Sequence, residues 1–137
     1  MKITIIGAGN MGLAFSKSFL KYDIVKANDL HLVIRQQEKK EKIRQEFPNS
    51  RVSTFDEVSE LDADLVIISV KPQDFIFTAE KLKSKIKENQ MVLSIMAGIS
   101  IEKIQKVLNH QFVVRAPLFL AWELRAIQQL KESLSHK

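Results

Sequence analysis

Six consecutive residues carry the clearest chemistry: Gly7-Ala8-Gly9-Asn10-Met11-Gly12, a G-x-G-x-x-G spacing. An apolar run at 2–6 precedes them, and a segment with helically spaced Leu13, Phe15, Phe19 and Leu20 follows. Between a strand and a helix, such glycines have separate tasks. Gly7 allows a tight turn, Gly9 lets a pyrophosphate approach the backbone, and Gly12 lets the helix pack against the strand. The first helical turn then offers unpaired N–H groups and the positive end of the helix dipole to an anion. The other reading, a glycine-rich turn without ligand, accounts less well for the motif's place between a strand and a helix.

A second candidate lies at the end of the next strand, Val33-Ile34-Arg35-Gln36-Gln37. Domains of this kind that bind NAD place an acid there for the ribose 2′-hydroxyl. Here no acid occurs until Glu38, and Asp29 falls before the strand. Arg35 has the geometry to meet a 2′-phosphate through charge-assisted hydrogen bonds. The expected cofactor is therefore NADP(H) rather than NAD(H); the competing reading of Arg35 is a solvated strand end. Lys71, at the end of a later strand, stands where open α/β sheets bind ligands. Hydride transfer requires no lysine nucleophile, so an orienting or electrostatic role is favoured over proton transfer. His31, His110 and His136 are dispersed, and no spacing resembles a metal site.

These residues need a scaffold, and the chain alternates β-rich runs with helical stretches as a parallel sheet requires. Strands are expected at 2–6, 30–34, 51–54, 64–70, 91–96 and 112–115. Helices are expected at 10–22, 38–47 (ended with the help of Pro48), 55–61, 72–87 and 101–108. The unbroken apolar run Leu65-Val66-Ile67-Ile68 fits a strand covered on both faces. The fold class is α/β: a doubly wound Rossmann-type parallel sheet over 1–116, with a C-terminal amphipathic helix within 117–137.

Composition agrees. The 137 residues suit one domain, and 45% of them are hydrophobic, enough for a packed core. The absence of cysteine excludes disulfides and thiolate chemistry. The longest apolar stretch falls far short of the roughly 20 residues that cross a bilayer, so no membrane partner and a cytoplasmic location are expected. The net charge of +5 is dispersed beside acids, as in Glu38-Lys39-Lys40-Glu41-Lys42. That pattern is read as a solvated helix face rather than a nucleic-acid surface.

The glycine loop and three further stretches extend the reading. The opening Ile6-Gly7-Ala8-Gly9-Asn10-Met11-Gly12 resembles that of pyrroline-5-carboxylate reductases. Val70-Lys71-Pro72-Gln73 is similar to an element of that family. Ser94-Ile95-Met96-Ala97-Gly98-Ile99-Ser100 matches its Ser-x-x-Ala-Gly-Ile-Ser turn, and Val113-Val114-Arg115 its following strand. The resemblance covers nearly everything from Met1 to Arg115. It implies that Ile6, Gly7, Ala8, Gly9, Asn10 and Met11 cradle the pyrophosphate and that Arg35 and Gln36 lie at the adenosine phosphate. It further implies that Ser69, Val70, Lys71 and Pro72, with Ile95, Met96 and Ala97, line the nicotinamide end. Asp56 stands where members often carry asparagine near the adenosine; an acid there either weakens phosphate binding or caps the following helix. Catalytic residues remain unknown.

The resemblance ends after Arg115, where Ala116-Pro117-Leu118-Phe119-Leu120-Ala121-Trp122 replaces the family's Ala-Met-Pro-Asn-Thr-Pro-Ala loop. The family's helical dimerisation domain is not expected after this point. A helix is expected at 118–134, with Leu120, Leu124, Ile127, Leu130 and Leu134 forming an apolar stripe. It either packs on the domain or pairs with a second copy to make a homo-oligomer. Three functions compete: NADPH-dependent reduction of the cyclic imine pyrroline-5-carboxylate to proline, an NADP(H)-binding module or partner-dependent subunit without its own substrate pocket, and a reductase of another substrate on the same fold.

Overall fold

The computed structural model describes residues 1–115. Six short strands, rich in β-branched and other apolar residues, form one sheet: β1 (Ile3–Ile6), β2 (Leu30–Ile34), β3 (Arg51–Thr54), β4 (Leu65–Ile68), β5 (Met91–Ser94) and β6 (Val113–Arg115). Every pair is parallel and the order is β3-β2-β1-β4-β5-β6. Four of the strands, β1, β2, β4 and β5, are buried along their whole length. Parallel sheets need that cover on both faces.

Period-two alternation divides the core. Ile3 and Ile5 of β1, with Leu32, Leu65, Ile67 and Leu93, point to one face. There they meet Phe15 and Phe19 of α1 (Asn10–Lys21) and Ile43 of α2 (Lys40–Glu46). Ile6, Val33, Val66, Ile68 and Val92 point to the other face. They pack on Phe75, Ala79 and Leu82 of α3 (Phe75–Leu82) and on Ile104 and Leu108 of α4 (Ile101–Leu108). The chain winds outward from β1 in both directions, so β1 and β4 are neighbours whose following connections leave to opposite faces. That reversal opens a crevice beyond the strand ends.

Local chemistry sets the element ends. Ser100 caps α4 by accepting the N–H of Lys103 at 3.1 Å, and Asn109 closes it in the left-handed conformation at φ 52°. The expected helix at 55–61 shortens to a single 3-10 turn, Phe55–Glu57. Thr54 and Glu57 form its capping box: the Thr54 N–H and Oγ1 both donate to Glu57 Oε1, at 2.9 and 3.0 Å. Asp56 therefore does not cap; it is exposed and pairs with Lys81 at 3.8 Å. The expected helix at 72–87 also ends early, at Leu82. Beyond it the Lys85 carbonyl accepts the N–H of Leu61 at 3.0 Å. The expected division at 116/117 and the C-terminal helix lie outside the described residues.

Candidate functional site

The glycine loop hangs over the ends of three strands. The Gly7 N–H donates to the Val33 carbonyl at 2.9 Å, and the Ser69 N–H donates to the Ile6 carbonyl at 2.9 Å. Gly7 adopts φ 99°, and a Cβ built on it would stand 2.8 Å from the Ser69 carbonyl oxygen. A side chain there is excluded both by conformation and by space. A Cβ on Gly12 would fall 2.3 Å from the Gly7 carbonyl oxygen, so the start of α1 sits against the loop only because that residue is glycine. At Gly9 a Cβ would meet nothing within 4 Å. The protein's own packing therefore does not demand a glycine at that position, whereas a ligand lying against the backbone does.

Gly9 is also the N-cap of α1, and no side chain caps the first turn, which contains no acid. The N–H groups at the helix start are left for an anion. Close by, Ser69 Oγ is buried with no hydrogen-bond partner among the described residues. An unmatched hydroxyl beside an uncapped helix start and an unfilled glycine is a donor set suited to a diphosphate. On these observations the residues present fit a dinucleotide.

Two clefts meet at this loop. The first, about 250 Å³, runs from Gly7 and Gly9 past Ser69 to Arg35, Gln36 and Lys39. The second, about 300 Å³ and mostly apolar, runs from Gly9 and Met11 past Lys71 and Pro72 to Met96 and Ala97. One cleft thus continues the loop toward the end of β2 and the other toward the end of β5. The first is lined by three cations, Arg35, Lys39 and Lys71, against one acid, Asp74. Arg35 is exposed but tethered. Its Nη1 lies 3.7 Å from Asp74 Oδ1, and its guanidinium carbon lies 4.3 Å from the centre of the Phe77 ring.

Of the sixteen residues expected at the cofactor, fourteen line one cleft or the other; Ile6 and Gly12 do not. Ile6 is fully buried under the loop and contributes its carbonyl to the tie with Ser69. Gly12 acts by packing. Sequence reasoning missed Lys39, Asp74 and Thr78, which also line the first cleft. Lys39 was submerged in a mixed-charge run that reads as solvated helix. Asp56 does not line either cleft.

Beyond the site, Gln90 ties the loop before β4 to that before β5. Its amide donates to the carbonyls of Leu61 and Ala63 at 2.5 and 2.9 Å, and its Oε1 accepts the Lys87 N–H at 2.8 Å. His31 Nε2 and Ser53 Oγ lie 2.9 Å apart. Burial, and secondarily the Arg51 charge, lowers the His31 pKa to about 4. Glu57 is lowered to about 2, first by its hydrogen bond from Lys40 and then by those from Thr54. Among the described residues no helix is long and apolar enough to cross a membrane.

Comparison with known proteins agrees with this geometry. Pyrroline-5-carboxylate reductase of Staphylococcus epidermidis is 35% identical over 109 residues, which cover 80% of this chain and 40% of that protein. The chain therefore spans about 40% of the length of the curated relatives it matches. The crystal structure of 1-pyrroline-5-carboxylate reductase from Streptococcus pyogenes superposes with a TM-score of 0.58 and 28% identity, covering 82% of this chain and 38% of that one. That of Plasmodium falciparum pyrroline carboxylate reductase, which has NADP bound, gives a TM-score of 0.63 over 79% of this chain and 38% of that one. Its 19% identity speaks for the fold alone. The doubly wound fold and the resemblance to pyrroline-5-carboxylate reductases are both borne out. The family model described as NADP oxidoreductase coenzyme F420-dependent matches residues 2–98, and the chain belongs to that family.

Proposed function

We propose that the chain is the NADP(H)-holding part of a reductase acting on a cyclic imine of the pyrroline-5-carboxylate type, giving L-proline. The observation that carries this is the paired clefts meeting at Gly9, one cationic and one mostly apolar. A dinucleotide has that same polarity, with a phosphorylated ribose at one end, a diphosphate in the middle and an uncharged ring system at the other. The family's description and the reductases at 35% identity support the same reading. They favour a reductase over a non-catalytic module.

When bound, the nicotinamide supplies the hydride. The chain's own residues bind and orient. The start of α1 and the Gly7–Gly9 backbone would hold the diphosphate, and Arg35, Gln36 and Lys39 the 2′-phosphate. Met11, Pro72, Ile95, Met96 and Ala97 would form the apolar wall for the nicotinamide, with the Ser69-Val70-Lys71 segment between the two ends. Lys71 is exposed at that wall, placed to favour an anionic substrate electrostatically. The apolar spacing from Leu120 to Leu134 supports a homo-oligomer, which ultracentrifugation showing only monomer at high concentration would contradict.

The test is to follow loss of NADPH absorbance on adding pyrroline-5-carboxylate to the purified chain. Sustained, imine-dependent oxidation establishes the reductase. Saturable NADPH binding without turnover leaves the cofactor-holding role alone for this chain, and failure to bind NADPH overturns the proposal.

A further inference from the structure

We propose that Asp74 is a built-in stand-in for the 2′-phosphate, holding Arg35 at the mouth of the adenosine cleft and setting how strongly NADP(H) is preferred over NAD(H). The inference deepens the NADP(H) reading and rests on it. Its starting point is the one acid among the cations of the first cleft. Asp74 occupies the N-cap position of α3, yet its side chain makes no capping hydrogen bond. Its carboxylate instead turns to Arg35, at 3.7 Å.

Phe77, less than one helical turn further along α3, completes the holder. Its ring lies under the guanidinium at 4.3 Å and is itself 43% exposed, so it serves as a platform rather than as core. Arg35 is thus fixed from one side by an aromatic face and from another by a carboxylate. A carboxylate and a phosphate ask for the same donors of a guanidinium. At 3.7 Å the two form an ion pair without a hydrogen bond, so a 2′-phosphate arriving at Arg35 takes up its free donors while Asp74 remains nearby as a like charge. A ribose 2′-hydroxyl carries no charge and has no such conflict. Asp74 therefore acts selectively against the phosphorylated cofactor, and Phe77 keeps the guanidinium in place during the exchange.

The test titrates NADPH and NADH into the wild type and into Asp74→Asn at low salt, following cofactor fluorescence. The pair is solvent-exposed, so the expected gain is modest: Asp74→Asn binds NADPH roughly two- to fivefold tighter, with NADH unchanged. The gain shrinks as salt rises and is smaller in an Arg35→Gln background, where only the repulsion between Asp74 and the phosphate remains. Asp74→Asn binding NADPH no tighter, or gaining equally for both cofactors, overturns the assignment. If Asp74→Asn melts below the wild type, Asp74→Glu gives the second readout: it keeps the charge and should leave the NADPH preference as in the wild type, and a gain for NADPH equal to that of Asp74→Asn also overturns the assignment. A wild type that binds neither cofactor fails the NADP(H) reading and this inference together. A wild type that prefers NADPH while Asp74→Asn changes nothing fails this inference alone.

Discussion

Alanine at Gly9 and alanine at Gly12 are the same chemical change three residues apart, and the structure assigns them opposite consequences. A Cβ on Gly12 would lie 2.3 Å from the Gly7 carbonyl oxygen and 3.3 Å from Ser69 Oγ. The first of these is backbone and has no rotamer by which to escape. Relief requires α1 to lift from β1 by about 1 Å, against Phe15 and Phe19, both buried in the core. Overpacking of that kind costs about 1–3 kcal/mol, and the backbone contact puts Gly12→Ala near the upper end. In a chain of this size the melting temperature should fall by about 10 °C. At Gly9 the added methyl meets no protein atom within 4 Å, and the residue's φ of −75° is open to any side chain. Loss of a glycine N-cap and the reduced entropy of the unfolded chain roughly offset each other, leaving stability within about 0.5 kcal/mol. Yet the methyl would stand where the diphosphate must approach, so NADPH affinity should fall by a factor of about 100 or more. Thermal melts and NADPH titrations on the two variants measure both axes. A Gly9→Ala variant that melts like the wild type and binds NADPH equally well would refute the reasoning, because the open space at Gly9 would then have no ligand.

Other outcomes follow from the same structure. Arg35→Gln should weaken NADPH binding by about ten- to a hundredfold and leave NADH binding nearly unchanged, since a charge-assisted contact to phosphate is worth about 1.5–3 kcal/mol; parallel titrations check it. Gln90→Leu should lower stability by about 2–4 kcal/mol, read from the urea midpoint, because the Leu61 and Ala63 carbonyls and the Lys87 N–H all lose their partner. His31 gives a pH dependence with a definite sign. Its pKa is near 4 in the fold against 6.5 for the free group, so the unfolded chain binds the proton more readily between those values. Stability is therefore complete above pH 6.5 and declines as pH falls toward 4, by about 3 kcal/mol in all. His31→Gln should flatten that slope.

Strands and glycine loop were legible because their signals are local and mutually consistent. An apolar run such as Leu65 to Ile68, buried on both faces, has few alternatives to a central strand. The G-x-G-x-x-G spacing fixes a turn, an approach and a packing contact within six residues. That the sheet is parallel followed from the alternation of its strands with helices. The short turn after β3 was misread, although Thr54 and Glu57 carry the T-x-x-E spacing of a capping box. Asp56, the acid at the resembling position, pairs with Lys81 instead, and the neighbouring Thr54 and Glu57 make the hydrogen bonds. The length of α3 was not legible, because no breaker residue follows Leu82; the chain beyond it instead meets Leu61, whose N–H donates to the Lys85 carbonyl.

The site's electrostatics were the least visible. Arg35 was identifiable from its place at the end of β2. Its restraint by Asp74 and Phe77 depends on how the start of α3 lies across the end of that strand, with nearly forty residues between them in sequence. Lys39 had the same difficulty in reverse, since a charged run looks alike whether it faces water or a cleft.

The most direct measurement is titration of NADPH and NADH, separately, into the purified chain. Both should bind saturably, with at least tenfold preference for NADPH. Equal affinity for the two would contradict the assignment of Arg35 to a 2′-phosphate, and no binding of either would contradict the reading of the Gly7–Gly12 loop as a diphosphate site.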